Sequence, residues 1–176
     1  DIYKLGNLSE RSGVDFENQS NGYKYLGFQR EDPISDLRGG GILSLENIHF
    51  IMSAQNELAI AMIQKRKNRD LGANFPWAAA GVNVTRMLAT IFEVVQASGA
   101  GTVSYTKKTY WHMLQDENGF NRLYVCAFKL LDTIYDEEDA DYMMFPNVVN
   151  KTKERLEEIL KRMNSVEEVE AALLGM

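Results

Sequence analysis

The sequence predicts an all-α fold, a single compact multi-helix domain, and three observations carry that prediction. Apolar residues recur at three- and four-residue spacing over most of the chain; no segment alternates strictly over six residues with β-branched side chains; and Pro33, Pro76 and Pro146 all fall at boundaries between periodic stretches. A length of 176 residues and a mass of 20.0 kDa suit one hydrophobic core. With 45% hydrophobic and 25% charged residues, the composition is that of an ordinary globular domain and excludes disorder for the whole. No repeat of helical-hairpin period and no low-complexity tract points to a solenoid.

Each element has its own signal. Residues 1–22 are polar and rich in Gly, Ser and Asn, with Leu5, Leu8, Val14 and Phe16 as anchors, and read as a lead-in to a helical domain over 23–176. Tyr23, Tyr25, Leu26 and Phe28 are apolar, whereas Arg30-Glu31-Asp32-Pro33 and Gly39-Gly40-Gly41 are turn-forming. Asp32 before Pro33 predicts an N-cap and first helical residue, opening one turn that the glycines end. Ile42, Leu45, Ile48 or His49, and Met52 predict the apolar stripe of a helix; Leu58, Ala61, Met62 and Lys65 continue it after a break near Asn56. Val84, Met87, Leu88, Ile91, Phe92 and Val95 mark a central amphipathic helix that starts after Pro76 and closes at Gly99-Ala100-Gly101. Thr106 to Gln115 predicts another, stopped by Asn118-Gly119, and Leu123, Ala127, Leu130, Leu131 and Ile134 a further one reaching the acidic run at Asp136. Asn147 to Met163 is a helix rich in Glu-to-Lys/Arg neighbours, and Ser165 with Glu168 forms a capping box before Val166, Val169 and Leu173.

The functional inventory is short. A net charge of -6 argues against nucleic acid or anionic lipid as a broad electrostatic partner. One cysteine, Cys126, and two isolated histidines, His49 and His112, exclude a disulfide, a thiolate metal cage and an obvious nucleophile–base pair; both histidines read as core or rim residues. No apolar run approaches the ~20 residues of a membrane span. The chain opens Asp1-Ile2-Tyr3-Lys4 without an initiator methionine, as expected for a piece of a longer protein. The sequons at Asn7, Asn18, Asn83 and Asn150 read as coincidence, since Asn83 enters an apolar helix. Gly39-Gly40-Gly41 lacks the Lys-Ser/Thr of a phosphate loop, and the run from Asp136 to Asp141 lacks the spacing of a calcium loop, leaving a partner contact or plain exposure. Lys65, Arg66, Lys67 and Arg69 read as a solvated helix terminus. Trp77, Tyr110, Trp111 and Tyr142 either fill a core or stack on a ligand. Arg38, beside Asp36 and three glycines, either projects from a permissive turn or forms a local ion pair with Asp36 or Asp32. A chain so poor in acid–base and metal-binding groups is either not an enzyme or completes another protein's active site.

The stretch Tyr23-Lys24-Tyr25-Leu26-Gly27-Phe28-Gln29, followed by Asp32-Pro33-Ile34-Ser35-Asp36-Leu37-Arg38-Gly39-Gly40-Gly41-Ile42-Leu43, closely resembles the signature of the ELMO domain. A second block, Phe75-Pro76-Trp77-Ala78 through Gly81-Val82-Asn83-Val84-Thr85, is similar to the family's other recurrent motif. The resemblance is specific from about Tyr23 to Phe92; beyond that it extends only to helical character and length. Tyr23 stands where the family usually has tryptophan, Ser35 for threonine, Leu37 for phenylalanine, and Gly40 for a methionine, the last implying a looser loop.

The resemblance implies an all-helical domain whose active members are GTPase-activating proteins for Arf-family small GTPases, with a first-motif arginine as the essential residue. Arg38 occupies that position. Scaffold relatives that act with DOCK-type exchange factors lack this arginine, so its presence favours the active branch. An arginine finger needs no metal, histidine or cysteine of its own: GTP and Mg2+ are expected on the partner GTPase, and no cofactor on this chain. In that scheme Arg38 is the catalytic residue; Gln29, Asp32, Asp36, Gly39 and Gly41 form the supporting loop, with Asp36 orienting the guanidinium and Gln29 bracing the turn. Pro76, Asn83 and Thr85 of the second motif are structural anchors or interface residues. The implied location is cytoplasmic, with recruitment to membranes through the GTPase. The alternative is a non-catalytic scaffold binding a small GTPase or exchange-factor partner.

Overall fold

A computed structural model describes residues 24, 26–30, 32–67, 74–94 and 108–175. Among them run seven α-helices and three 3-10 turns, with no strand, in agreement with the periodicity. In chain order these are α1 (Pro33–Asp36) leading into the 3-10 turn Leu37–Gly39, then α2 (Gly41–Ala54), α3 (Asn56–Lys67) and α4 (Trp77–Ile91). A second 3-10 turn (Trp111–Gln115) precedes α5 (Gly119–Glu137), and a third (Tyr142–Met144) precedes α6 (Phe145–Arg162) and α7 (Val166–Leu174).

Local chemistry sets most boundaries where the sequence puts them. The Asp32 carboxylate accepts the Ile34 N–H at 3.0 Å with Pro33 as the first helical residue. Gln55, at φ -128 and ψ 48, breaks the chain between α2 and α3 beside the expected Asn56. Ser165 Oγ accepts the Glu168 N–H at 3.3 Å, while the Glu168 carboxylate receives the Asn164 N–H at 2.8 Å, one residue before the cap itself. Two ends differ from expectation. Helix α4 stops at Ile91, because Glu93 adopts φ 57 and the Val94 N–H bonds back to the Ala89 carbonyl at 2.9 Å, a Schellman closure built without glycine; the expected terminator at 99–101 lies outside the described residues. The helix expected over 106–115 is a 3-10 turn from Trp111, because the extended Asp116 ends it and the Asp116 carboxylate accepts the Asn118 N–H at 2.9 Å; 106 and 107 are outside the described residues.

Helix α5 is the hub, packed against α2, α4, α6 and α7. Leu123 to Phe128, Leu130, Leu131, Ile134 and Tyr135 are buried, so this helix is apolar nearly all round, as a central one must be. Against it α6 lays a stripe at four-residue spacing, Val148, Thr152, Leu156 and Leu160. Helix α4 approaches α5 closely at Gly81, where a Cβ would lie 2.6 Å from the Tyr124 hydroxyl. Burial pushes the lone Cys126 thiol up to about 12, so it stays protonated and packs as a small apolar side chain.

The basic run at the end of α3 is not the solvated terminus expected of it. Arg66 is 2% exposed, its Nε donates to Asp132 Oδ1 at 2.8 Å and its Nη2 to the Asp132 carbonyl at 3.0 Å. The guanidinium lies 4.5 Å from the Phe75 ring centroid and 4.9 Å from that of Tyr135. Lys65 adds a bond to Asp132 Oδ2 at 2.8 Å. Arg66 and Asp132, buried together, hold the end of α3 to α5; Asp136 also lies 3.0 Å from Arg66 Nη2, but it is partly exposed, so removing Asp132 leaves the buried guanidinium with the weaker of its two carboxylate partners. Asp132→Ala is therefore expected to lose up to about 3 kcal/mol of unfolding free energy in urea titrations, Asp136 keeping part of the compensation, whereas the double variant Arg66→Met with Asp132→Leu loses less.

Candidate functional site

The candidate site grows from the start of α4. Its cap residue, Pro76, has no side chain to accept the first-turn N–H groups. Backbone carbonyls of the first motif do so instead: Leu26 O accepts the Ala78 N–H at 2.9 Å and Gly27 O the Ala79 N–H at 3.2 Å. Gly27 has φ +84, and a Cβ there would sit 2.3 Å from the Trp77 nitrogen, so only glycine lets the two motifs touch. Leu26, Phe28, Phe75 and Trp77 are all buried beneath this contact, Trp77 stacked on Phe128 at 5.1 Å, which settles its reading as a core residue.

From this anchor the chain enters the arginine turn. Asp36 Oδ2 accepts the Gln29 N–H at 2.6 Å and the Arg30 N–H at 3.3 Å, tying the turn to the clamped strand of chain before it. The Gln29 side chain reaches the other way and donates to the Tyr142 hydroxyl at 3.1 Å. Arg38 follows Asp36 on the 3-10 turn; it is exposed and forms neither ion pair nor hydrogen bond among the described residues. Neither Asp36 nor Asp32 pairs with it: Asp36 is committed to backbone N–H groups and Asp32 to its cap, so Asp36 positions the turn rather than the guanidinium.

Beneath the glycines lies a buried polar group. Gly40 bonds through its N–H to the Leu37 carbonyl at 3.1 Å, and a Cβ there would fall 1.9 Å from Ser44 Oγ. Gly40 is thus the cap of α2 in close contact with it rather than a loose spacer. A Cβ on Gly39 would lie 3.3 Å from Val82 Cγ1 of the second motif, and Gly41 takes φ +60 with open space around it. Asn47 Nδ2 donates to Thr85 Oγ1 at 3.0 Å, and Thr85 to the Gly81 carbonyl at 3.2 Å. Thr85 therefore joins α4 to α2 under the turn, while Asn83 is exposed and bonds to its own helix at Ala79 O, 2.8 Å away.

This arrangement bears out the expected α2 stripe at Ile48 and Met52 and corrects it at Ile42 and Leu45. Ser44, Asn47, Ile48, Ile51 and Met52 face inward, and Ile42 and Leu45 face solvent. Both sets have helical spacing; the polar partner Thr85 and the close approach at Gly39 and Gly40 choose between them, and neither is visible in a local window. Sequence reasoning also left Tyr142 without a link to the arginine turn, since its partner Gln29 is 113 residues away. His112 bonds through its two ring nitrogens to the Thr109 and Asn164 carbonyls at 2.8 and 2.7 Å, a structural rim position. The acidic run is partly paired, Glu137 with Arg155 at 3.0 Å and Glu138 with Lys151 at 2.5 Å. Among the described residues no group of three His, Cys, Asp or Glu is placed to hold a metal. The site's chemistry is that of a guanidinium: five N–H donors in a planar fork, with no proton to take or give near neutral pH.

Fold and site together define an all-helical domain that presents one arginine on a braced surface turn. The sequence profile of the ELMO/CED-12 family matches residues 2–149, and the chain belongs to that family. It is 32% identical over 165 residues to ELMO domain-containing protein C of Dictyostelium discoideum, a match covering 89% of this chain and 26% of that protein. Ankyrin repeat and ELMO domain-containing protein D of the same organism is 27% identical over 160 residues, 90% of this chain and 12% of that one. Mouse ELMO domain-containing protein 2 is 25% identical over 142 residues, 80% of this chain and 46% of that one. The chain thus spans less than half the length of these relatives.

The contact between the motifs rests on Gly27, which gives a direct test. Gly27→Ala forces a side chain into left-handed backbone, costing about 1–2 kcal/mol, and also drives a Cβ into the Trp77 backbone. The expected outcome is a thermal midpoint lowered by at least roughly 3–8 °C, measured by circular dichroism, with Gly41→Ala, where the surroundings are open, affected less.

Proposed function

We propose that this domain is a GTPase-activating protein for an Arf-family small GTPase and supplies Arg38 in trans. The observation that carries the reading is that Arg38 is exposed and has no internal partner among the described residues, on a turn held from both sides by Asp36 and Gly40; Arg30, Arg86 and Arg162 are likewise exposed and unpaired, but none of them sits on such a turn. Hydrolysis of GTP is limited by charge on the transferring phosphoryl oxygens and by the placing of water; a guanidinium entering that site donates to those oxygens in the transition state. The GTP and Mg2+ belong to the partner in this scheme, and this chain binds, orients its fork and excludes water. Glutamine and aspartate act at one remove, Asp36 through the backbone at Gln29 and Arg30, and Gln29 through Tyr142. Among the described residues no helix is long and apolar enough to cross a membrane, and in this reading membrane recruitment comes through the GTPase.

Single-turnover GTP hydrolysis across a panel of Arf-family GTPases tests the reading. The wild-type chain is expected to accelerate at least one member by about 10³ or more, and Arg38→Ala and Arg38→Lys are each expected to remove most of that gain, lysine because it keeps charge but loses the planar fork. Stimulation that survives either substitution sinks the finger; binding without stimulation by the wild type assigns the surface to a non-catalytic scaffold.

A further inference from the structure

The described residues leave few large apolar side chains exposed, and their placement is uneven. Ile34, Ile42, Leu45, Tyr142 and Met143 all belong to α1, the first turns of α2, or the 3-10 turn bonded to Gln29; Val94 is the exception. Ile34 is 71% exposed, Ile42 70% and Met143 81%. Ile42 and Leu45 stand one helical turn apart, on the face of α2 away from buried Ser44, Asn47 and Ile48. The bond from Gln29 to the Tyr142 hydroxyl, with that from the Gln29 N–H to Asp36, couples the 142–144 turn to the arginine turn. Arg38 thus lies within the segment that these apolar groups flank. Scattered exposed apolar residues need no explanation, but a cluster around one cation marks a contact surface. Asp32, Glu46 and Asp141 neighbour these side chains in the sequence, exposed and without ion pairs among the described residues, and outnumber the exposed, unpaired Arg30 that follows Gln29.

We infer that Ile34, Ile42, Leu45, Tyr142 and Met143 form one docking surface around Arg38, and that its occupant is the GTP-loaded small GTPase, meeting it with an apolar face rimmed by lysine or arginine. This rests on the finger reading above and extends it by dividing the labour. Apolar contacts are made equally in the ground and transition states and set KM, whereas the guanidinium acts on charge that develops during reaction and sets kcat. The acidic side chains choose a basic-rimmed partner and repel an acidic one. The surface also joins the two parts of the chain, because two of its five apolar side chains, Tyr142 and Met143, come from beyond the second sequence motif.

The test uses Ile42→Asp and Met143→Asp in the full chain, with Val94→Asp as an exposed apolar control outside the surface. Aspartate at 42 falls in the first turn of α2, where its charge suits the helix, and circular dichroism melts check that each variant folds. With the panel member that the wild type stimulates most, each surface variant is expected to raise KM by about tenfold or more with kcat within about twofold, Val94→Asp to change neither, and Arg38→Ala to lower kcat with little effect on KM. KM unchanged in both surface variants overturns the docking surface while leaving the finger intact. If the wild type stimulates no GTPase, the finger reading fails on its own, and the surface is then read by binding to the same panel loaded with a non-hydrolysable GTP analogue. Wild-type binding lost in Ile42→Asp and Met143→Asp supports the surface; equal binding by all variants, or none by the wild type, overturns it.

Discussion

The first turn of an α-helix exposes N–H groups that need acceptors, and α4 begins with a proline whose side chain can offer none. The acceptors are the carbonyls of Leu26 and Gly27, delivered by a glycine in left-handed backbone at van der Waals distance from the helix start. That pair of bonds decides where the first motif lies, and with it the arginine turn a few residues on. It also explains why the two motif blocks of sequence are separated by α2 and α3 yet act as one object: one block is the cap of the other.

A second constraint holds the far side of the same contact. Phe75, just ahead of that helix start, packs edge-on against Tyr135 at 4.8 Å and beneath the Arg66 guanidinium, which is itself locked to Asp132. Burying an ion pair contributes little net stability compared with an apolar pair of the same shape, but its geometry is exacting, and a helix end tied by it has one register. The approach of α3, α5 and the second motif is thereby specified by charge, while the apolar core of α4, α5 and α6 supplies the driving force. The site inherits its rigidity from both.

What could be read from the sequence was what local chemistry determines. The cap at Asp32-Pro33, the break at Gln55 beside Asn56 and the box at Ser165 and Glu168 each depend on residues within a few positions of one another. Arg38 on a permissive turn was legible for the same reason, through its motif. The failures share a cause as well. Arg66 looked solvated because Asp132, 66 residues away, is invisible to a window along α3. The stripe of α2 was placed correctly at Ile48 and Met52 but wrongly over the first turns, because Ile42 and Leu45 are stronger hydrophobes than Ser44 and Asn47, the residues with a close contact or a partner inside. Hydrophobicity is normally the better guide to the inner face, and its failure here falls on the surface inferred above to dock a partner.

The unpaired state of Arg38 bears on how such a turn is built. A guanidinium bonded within its own domain would have to break that bond on entering a partner's site, and the broken bond would subtract from transition-state stabilisation. Leaving it free instead keeps side-chain entropy, about 2 kcal/mol for a long cationic chain, which in the proposed scheme would be lost only on docking. The turn limits that loss by ordering everything except the side chain: Asp36 binds the backbone before it, Gly40 closes the backbone after it, and Thr85 with Asn47 packs below. A Cβ at 40 would lie 1.9 Å from Ser44 Oγ, so a side chain there requires the serine hydroxyl to turn aside, and glycine lets the turn meet α2 without that shift. Order in the backbone and freedom in the fork are therefore two results of one packing solution, in which small residues let the turn sit close to the core and the charge stand away from it.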